Sequence, residues 1–382
     1  MPSVSEVTHW VENARTAPVR PWLEYHFESI PFAVYDDDVV AYVNHPSPPA
    51  ARPDRLVAAT AVEIGGVQTA TLPTWVCDSH ERAVTIAYHE GFHVYQAHHF
   101  VPTPADMFTA MAHYPELVPE YRALCRIEAD LLNDRTRPAA ERLAVLGALL
   151  RHRRARYISE AGGLLDYERY LERFEGTASY VEQATRHALF GIEPGPVIPE
   201  FGWTRFYQAG AALCRLMDET HTSWMERIEA GESPSDIVIG SAAGDLDLSA
   251  LGWDDALDIE RAAVAALRPE IDALTAPLEA SGLVIEYPAG TPVFRAFSPN
   301  TMQPLGDGRI LHREMFKLML PDRGHVASDG VPAIDDIAHR RAIVPARAVE
   351  YHAGVLRVDA DGVDIALNGV TRLDDGAFRI DS

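Results

Sequence analysis

Apolar and polar positions divide the chain into three stretches of different period. Val4 to Ala14 carries apolar residues at helical spacing, a short amphipathic start. The segments PFAVYDDDVVAYVNH (31–45), RLVAATAVEIGG (55–66) and VQTATLPTWV (67–76) are rich in β-branched and aromatic residues and punctuated by Asp, Gly and Pro, which predicts strands of one sheet. The Pro-heavy spacer HPSPPAARPD (45–54) reads as a loop within that region.

From Asp78 the period changes to that of a helix. DSHERAVTIAYHEGFHVYQ has Asp or Ser at an N-cap position and Glu81 in the first turn, so a helix is expected from about Ser79 to the vicinity of His98. Further helical segments are PELVPEYRALCRIEADLLND, PAAERLAVLGALLRHRRARYISE, LLDYERYLERFEGTASYVEQATRHAL and RFYQAGAALCRLMDETHTSWMERIEA. Beyond LVIEYPAGTPVFRAF, short β-rich runs return, and Ala353-Gly354, Asp361-Gly362, Asn368-Gly369 and Asp375-Gly376 recur every seven or eight residues as turns of a meander. The expected fold is α+β: an N-terminal sheet over 1–77, a helical region over 78–280 and a β-rich accessory domain over 281–382. No repeat of 20 to 50 residues is visible.

Composition narrows the functional classes. The 382 residues are 47% hydrophobic and 23% charged, ordinary for a globular protein of two or three domains. With 56 acidic against 33 basic side chains the formal charge is −23, the wrong sign for nucleic acid or anionic lipid, and it reads first as a solvated surface rather than as an attractor of basic substrates. Neither a secretion signal nor a run of about 18 apolar residues is present, so no membrane partner is expected. Cysteine occurs only as the widely spaced Cys77, Cys125 and Cys214, which argues against disulfides or a cysteine zinc knuckle and points to the cytoplasm.

The chemistry concentrates in YHEGFHVYQAHH (88–99). His89-Glu90-Gly91-Phe92-His93 fits HExxH: two histidines four apart share a helix face and can reach one ion, and the glutamate beside the first can touch a metal-bound water. A third ligand is needed. His99 stands where a metzincin has its third histidine, but Gln96 replaces the glycine at which that helix turns, and on a continuing helix His99 would lie about 15 Å along the axis from His89. The other candidate is Glu175 in FEGTASYVEQA, with Glu128 and Glu160 behind it.

At FEGTASYVEQA the chain resembles the gluzincin zinc metallopeptidases, above all their zinc aminopeptidase branch, whose downstream helix carries NEGFASYVE with the first glutamate as zinc ligand. Glu175, Gly176, Ala178, Ser179, Tyr180, Val181 and Glu182 match in register, with Phe174 and Thr177 departing from it. Tyr207-Gln208-Ala209-Gly210-Ala211 is similar to the YEKGA-type segment of the same enzymes. The resemblance, over about residues 56 to 220, implies a zincin-like core holding Zn²⁺ by His89, His93 and Glu175, with Glu90 as general base towards a metal-activated water and Tyr207 as oxyanion donor. The family's GxMEN strand, which grips a free amino terminus, has no counterpart in EIGGVQTATLP, and 81 residues separate His93 from Glu175, more than the family places there. Small Gly176 and Ala178 are expected to let the two ligand-bearing helices approach closely.

Each of these residues has a plainer reading. Tyr207 fits a core or interface tyrosine, Glu182 a solvated glutamate as well as a carboxylate that orients a ligand histidine, and His221 a surface histidine rather than a second oxyanion donor. His98 and His99 suit the last turn of a helix. The expected function is a zinc-dependent hydrolase cleaving peptide or amide bonds. Its alternatives are a zincin-fold enzyme acting on a small non-peptide amide, ester or biosynthetic intermediate, and a binding module with structural zinc.

Overall fold

The structure is a computed structural model and describes residues 1–382 except 50, 51, 54, 55, 103–106, 159–162, 221, 222, 346–348 and 382. The Glu160 and His221 expectations fall outside the described residues.

Helix α1 (Val4–Thr16) begins in a capping box between Ser3 and Glu6 and buries Val4, Val7 and Val11. The sheet follows, built from β1 (Phe32–Tyr35), β2 (Val40–Val43), β3 (Thr60–Ile64) and β4 (Val67–Pro73) in the order β2-β1-β4-β3. β1 and β4 run parallel, Phe32 beside Ala70, and the other pairs are antiparallel. The alternation of the sequence sorts its two faces: Phe32, Val34, Ala70 and Leu72 join the main core with α1, while Ala33, Tyr35 and Ile64 pack with Leu56 on the other side. Against the first face lies α2 (His80–His99), capped by Ser79, whose hydroxyl accepts from the Arg82 amide.

The helical region continues with α3 (Met107–Ala112), α4 (Pro119–Asn133), α5 (Ala139–Tyr157), α6 (Leu164–Leu171), α7 (Thr177–Phe190), α8 (Arg205–Thr220), α9 (Trp224–Glu229), α10 (Pro234–Gly240) and α11 (Trp253–Ser281). The segment 164–189, continuous in its apolar period, is interrupted by a π-helical turn, Glu172–Gly176, between α6 and α7. Gly176 faces α8: a Cβ there would fall 3.0 Å from the Gly210 Cα, and one on Gly210 would fall 2.7 Å from the Gly176 Cα. Gly176 therefore permits a close approach to α8, while α2 and α7, with Ala178 buried in their shared core, also pack against each other as expected.

After Gly282 the chain is β-rich. One sheet contains β5 (Leu283–Glu286), β7 (Met302–Pro304), β8 (Arg309–His312), β11 (Ala333–Asp336), β12 (Arg341–Val344), β16 (Val370–Arg372) and β17 (Phe378–Ile380). The other contains β6 (Phe294–Phe297), β9 (Met315–Leu320), β10 (Gly324–Asp329), β13 (Glu350–His352), β14 (Val355–Ala360) and β15 (Val363–Asn368). Leu283, Ile285 and Phe378 of the first share a core with Phe316, Leu318 and Val326 of the second, a sandwich. The turns at Ala353-Gly354 and Asp361-Gly362 make antiparallel hairpins, with positive φ at all four residues. Asn368-Gly369 does something else: β15 pairs in one sheet and β16 in the other, so this turn is a corner between sheets and the expected meander is broken there.

The sandwich is joined to the helical region along α3 and the segment after it. The Gly306 amide donates to the Ala112 carbonyl, and Met302 and Ile310 share a core with Tyr114, Tyr121, Tyr167 and Phe206. Cys77, Cys125 and Cys214 are free and buried. No described helix is long and apolar enough to cross a membrane.

Candidate metal centre

The site is assembled from α2 and the π-helical turn. α2 is amphipathic in an unusual sense: from Ala83 to Gln96 every residue is buried, including His89, Glu90, His93 and Gln96. Burying four polar side chains on one helix costs free energy unless each finds a partner. For His89, His93 and Gln96 the partners come from the 172–182 segment and from α2 itself.

In a regular α-helix Glu172 and Glu175, three apart, would share a face. The wider π turn separates them. Glu172 turns to α10, accepting from the Ser235 amide at 3.0 Å, whereas Glu175 turns to α2. Single π turns inside helices commonly mark functional positions. Glu175 Oε2 stands 3.5 Å from His89 Nε2 and 3.6 Å from His93 Nε2. The three donor atoms of His89, His93 and Glu175 lie within 4.8 Å of one another, and all three residues are buried.

Both imidazoles are oriented from behind. Glu182 Oε2 lies 3.1 Å from His89 Nδ1, and the other oxygen of Glu182 accepts from Arg82 at 2.8 Å. Gln96 Oε1 lies 2.7 Å from His93 Nδ1. The amide nitrogen of Gln96 donates to the carbonyls of Arg173 and Phe174 and to the Thr177 hydroxyl, which fixes the amide with its oxygen towards the histidine. Acceptors on each Nδ1 place a ring proton there and turn each Nε2 towards Glu175, the orientation that ligation through Nε2 requires. Phe174 covers His93 from the side, stacked at 4.0 Å between centroids. Glu182 is thus an orienting carboxylate.

The electrostatics ask for a cation. Burial works against charge on every group, yet Glu175 and Glu182 raise His89 to about 10, and His89 and His93 hold Glu175 at about 2. Burial pushes the Glu90 carboxyl up, offset in part by the two histidines. Glu175 Oε2 is buried and takes part in no hydrogen bond. A buried carboxylate oxygen with no hydrogen bond, facing two imidazole Nε2 atoms, fits a divalent ion that takes the place of the imidazolium proton, and a two-His, one-carboxylate set suits zinc.

Tyr207, near the start of α8, stands over His89 with 6.0 Å between ring centroids. Its hydroxyl accepts from the Trp203 indole at 3.2 Å. Burial and Glu175 push its pKa up, so the phenol keeps its proton and remains a donor.

The other candidates lie elsewhere. α2 runs unbroken through Gln96, and His99 is exposed in its last turn, stacked on Tyr95 at 4.0 Å. Glu128 is taken by Arg205, at 2.8 and 2.7 Å, and by Arg153, so it is no reserve ligand. Sequence reasoning saw in Gln96 only the loss of a glycine. Its position three residues after His93, on the same helix face, was the signal for an orienting group. No family model, curated protein or solved structure matches the chain.

Proposed function

We propose that this protein is a zinc-dependent hydrolase of peptide or amide bonds, built on a zincin-like core of the HExxH…E type. The observation that carries the proposal is the convergence of His89 Nε2, His93 Nε2 and a Glu175 oxygen without a hydrogen bond, with both Nδ1 atoms engaged from behind. Zinc bound by these three residues would supply Lewis acidity, polarising a carbonyl and easing loss of a proton from water.

The chain's own residues supply the rest. Glu90, adjacent to His89 and raised by burial, takes a proton from the attacking water and returns it to the leaving nitrogen. Tyr207, kept protonated beside the site, donates its O–H to the oxyanion that develops on the carbonyl. Gln96 and Glu182 hold the imidazoles in the tautomer and orientation the ion requires.

The strand that packs on α2 reads VQTATLP and carries no acid, which favours a second reading, a small amide or ester without a free amino terminus at the cleaved bond. Elemental analysis of the purified protein beside Glu175→Ala and His93→Ala tests the first step. About one zinc per chain, absent from both variants, supports the centre, and zinc retained in both would end it.

A further inference from the structure

Where the β sandwich meets the helical region there is a second cavity, of about 220 Å³, lined among others by Glu116, Arg122, Glu200, Trp203, Asn300 and Gln303. Glu116 is only 9% exposed. One of its carboxyl oxygens accepts from Gln303 Nε2 at 3.1 Å; the other has no hydrogen-bond partner among the described residues. The carboxyl lies against the chain at Gly202, where a Cβ would fall 1.9 Å from Glu116 Oε1, so only glycine leaves it room. Gln303 comes from β7, which makes the sandwich one wall of the cavity.

The cation in the lining is already spoken for. Arg122 donates Nε to Glu260 at 2.6 Å, gives Nη1 to the Glu116 backbone carbonyl, and lays its guanidinium on the Phe201 ring at 3.6 Å. No ion pair joins it to the Glu116 carboxylate among the described residues. Burial pushes Glu116 up to about 8, with Arg122 and Gln303 offsetting only part of the cost, and burial also raises Glu200. Two carboxyls therefore share a recess without a counter-ion of their own. Trp203 lines the same recess and donates its indole N–H to Tyr207 Oη, so the ring connects this cavity to the metal centre.

We propose that this cavity takes up an alkylammonium or guanidinium group, through which a substrate is held while its amide lies at the metal centre. The second half rests on the hydrolase reading; the first does not. Glu116 and Glu200 provide carboxyl acceptors that an incoming cation would draw into the ionised form, Asn300 and Gln303 polar ones, and the indole of Trp203 a face for cation–π contact. The sandwich, which contributes none of the metal-centre residues, acquires a role as the wall that selects the substrate's charge.

The test is calorimetric titration of the full chain carrying Glu90→Gln, zinc-loaded and zinc-free, with N-acetyl-lysine amide, N-acetyl-arginine amide and N-acetyl-norleucine amide. One or both cationic probes should bind about tenfold more tightly than the norleucine probe, and Glu116→Gln with Glu200→Gln should abolish that preference. Lysine against arginine tells ammonium from guanidinium. Glu200→Gln alone, at a half-buried position, should reduce the preference without unfolding the protein and serves where the double variant does not fold. Equal binding of the three probes, or a preference that survives the substitutions, overturns the proposal. Zinc content of the same samples reports on the hydrolase reading separately.

Discussion

Two buried polar clusters lie side by side in the helical region and differ in charge balance. In one, Glu128, Glu168, Glu172 and Asp236 are matched by Arg153, Arg154, Arg169 and Arg205, each acid within ion-pair distance of an arginine. In the other, Glu90, Glu175 and Glu182 surround His89 and His93, and the arginine pairing with them is Arg82, on the outer oxygen of Glu182. The first cluster is balanced in charge. The second sets three carboxyls around two imidazoles and is balanced by protons, on Glu90 and on His89, that a metal cation can replace. Burial alone does not separate structure from function here; what balances the charge does.

Breaking each cluster should give opposite signatures. The largest effect is expected for Glu90→Gln, which keeps zinc while lowering turnover of a cleaved amide by about 10² to 10⁴. Full turnover in that variant, measured at equal zinc content, would remove Glu90 from the mechanism. Next comes Arg205→Met in the first cluster, which leaves Glu128 and Glu168 short of a partner and should cost about 3 to 5 kcal/mol in urea unfolding. Its folded fraction should bind zinc as the parent does; a selective loss of zinc there would mean the two clusters are coupled.

Smaller effects should follow from the orienting groups. Glu182→Gln is expected to weaken zinc about 10- to 100-fold in chelator competition, and Gln96→Leu to do the same while costing the metal-free protein about 1 to 3 kcal/mol through the buried groups it leaves unpaired. A last effect, read in pH rather than in metal, concerns Glu116, which belongs to neither cluster. A carboxyl whose folded pKa is raised contributes stability that is complete below its ordinary value of 4.5 and is lost as pH rises through about 8. Stability should therefore decline across that window, and Glu116→Gln should flatten the decline. A profile unchanged by the substitution would show that the carboxyl is already ionised in the native state.

Much of this was legible in the sequence because the relevant rules are local. The β-branched and aromatic runs over 31–76, the Ser79 cap, the HExxH spacing and the positive-φ turns at Ala353-Gly354 and Asp361-Gly362 all depend on neighbours a few residues away. The break in 164–189 was not legible, since its apolar period runs straight through the π turn that aims Glu175. Nor was the corner at Gly369, because a turn dipeptide does not say whether the next strand stays in its sheet.

By itself, the sequence determined the mixed α+β character, the β-rich C-terminal end and the pair of histidines four apart on one helix face. Those follow from backbone period and helix geometry. Only the tertiary structure decided that Glu175 rather than His99 or Glu128 joins them, that Gln96 and Glu182 lock the rings, and that a carboxylate oxygen is left without a hydrogen bond. The physical reason is that a ligand set is a statement about two elements, far apart in the chain, meeting at one point. Arg205 and Arg153 reach Glu128 across 77 and 25 residues, separations at which pattern carries no information.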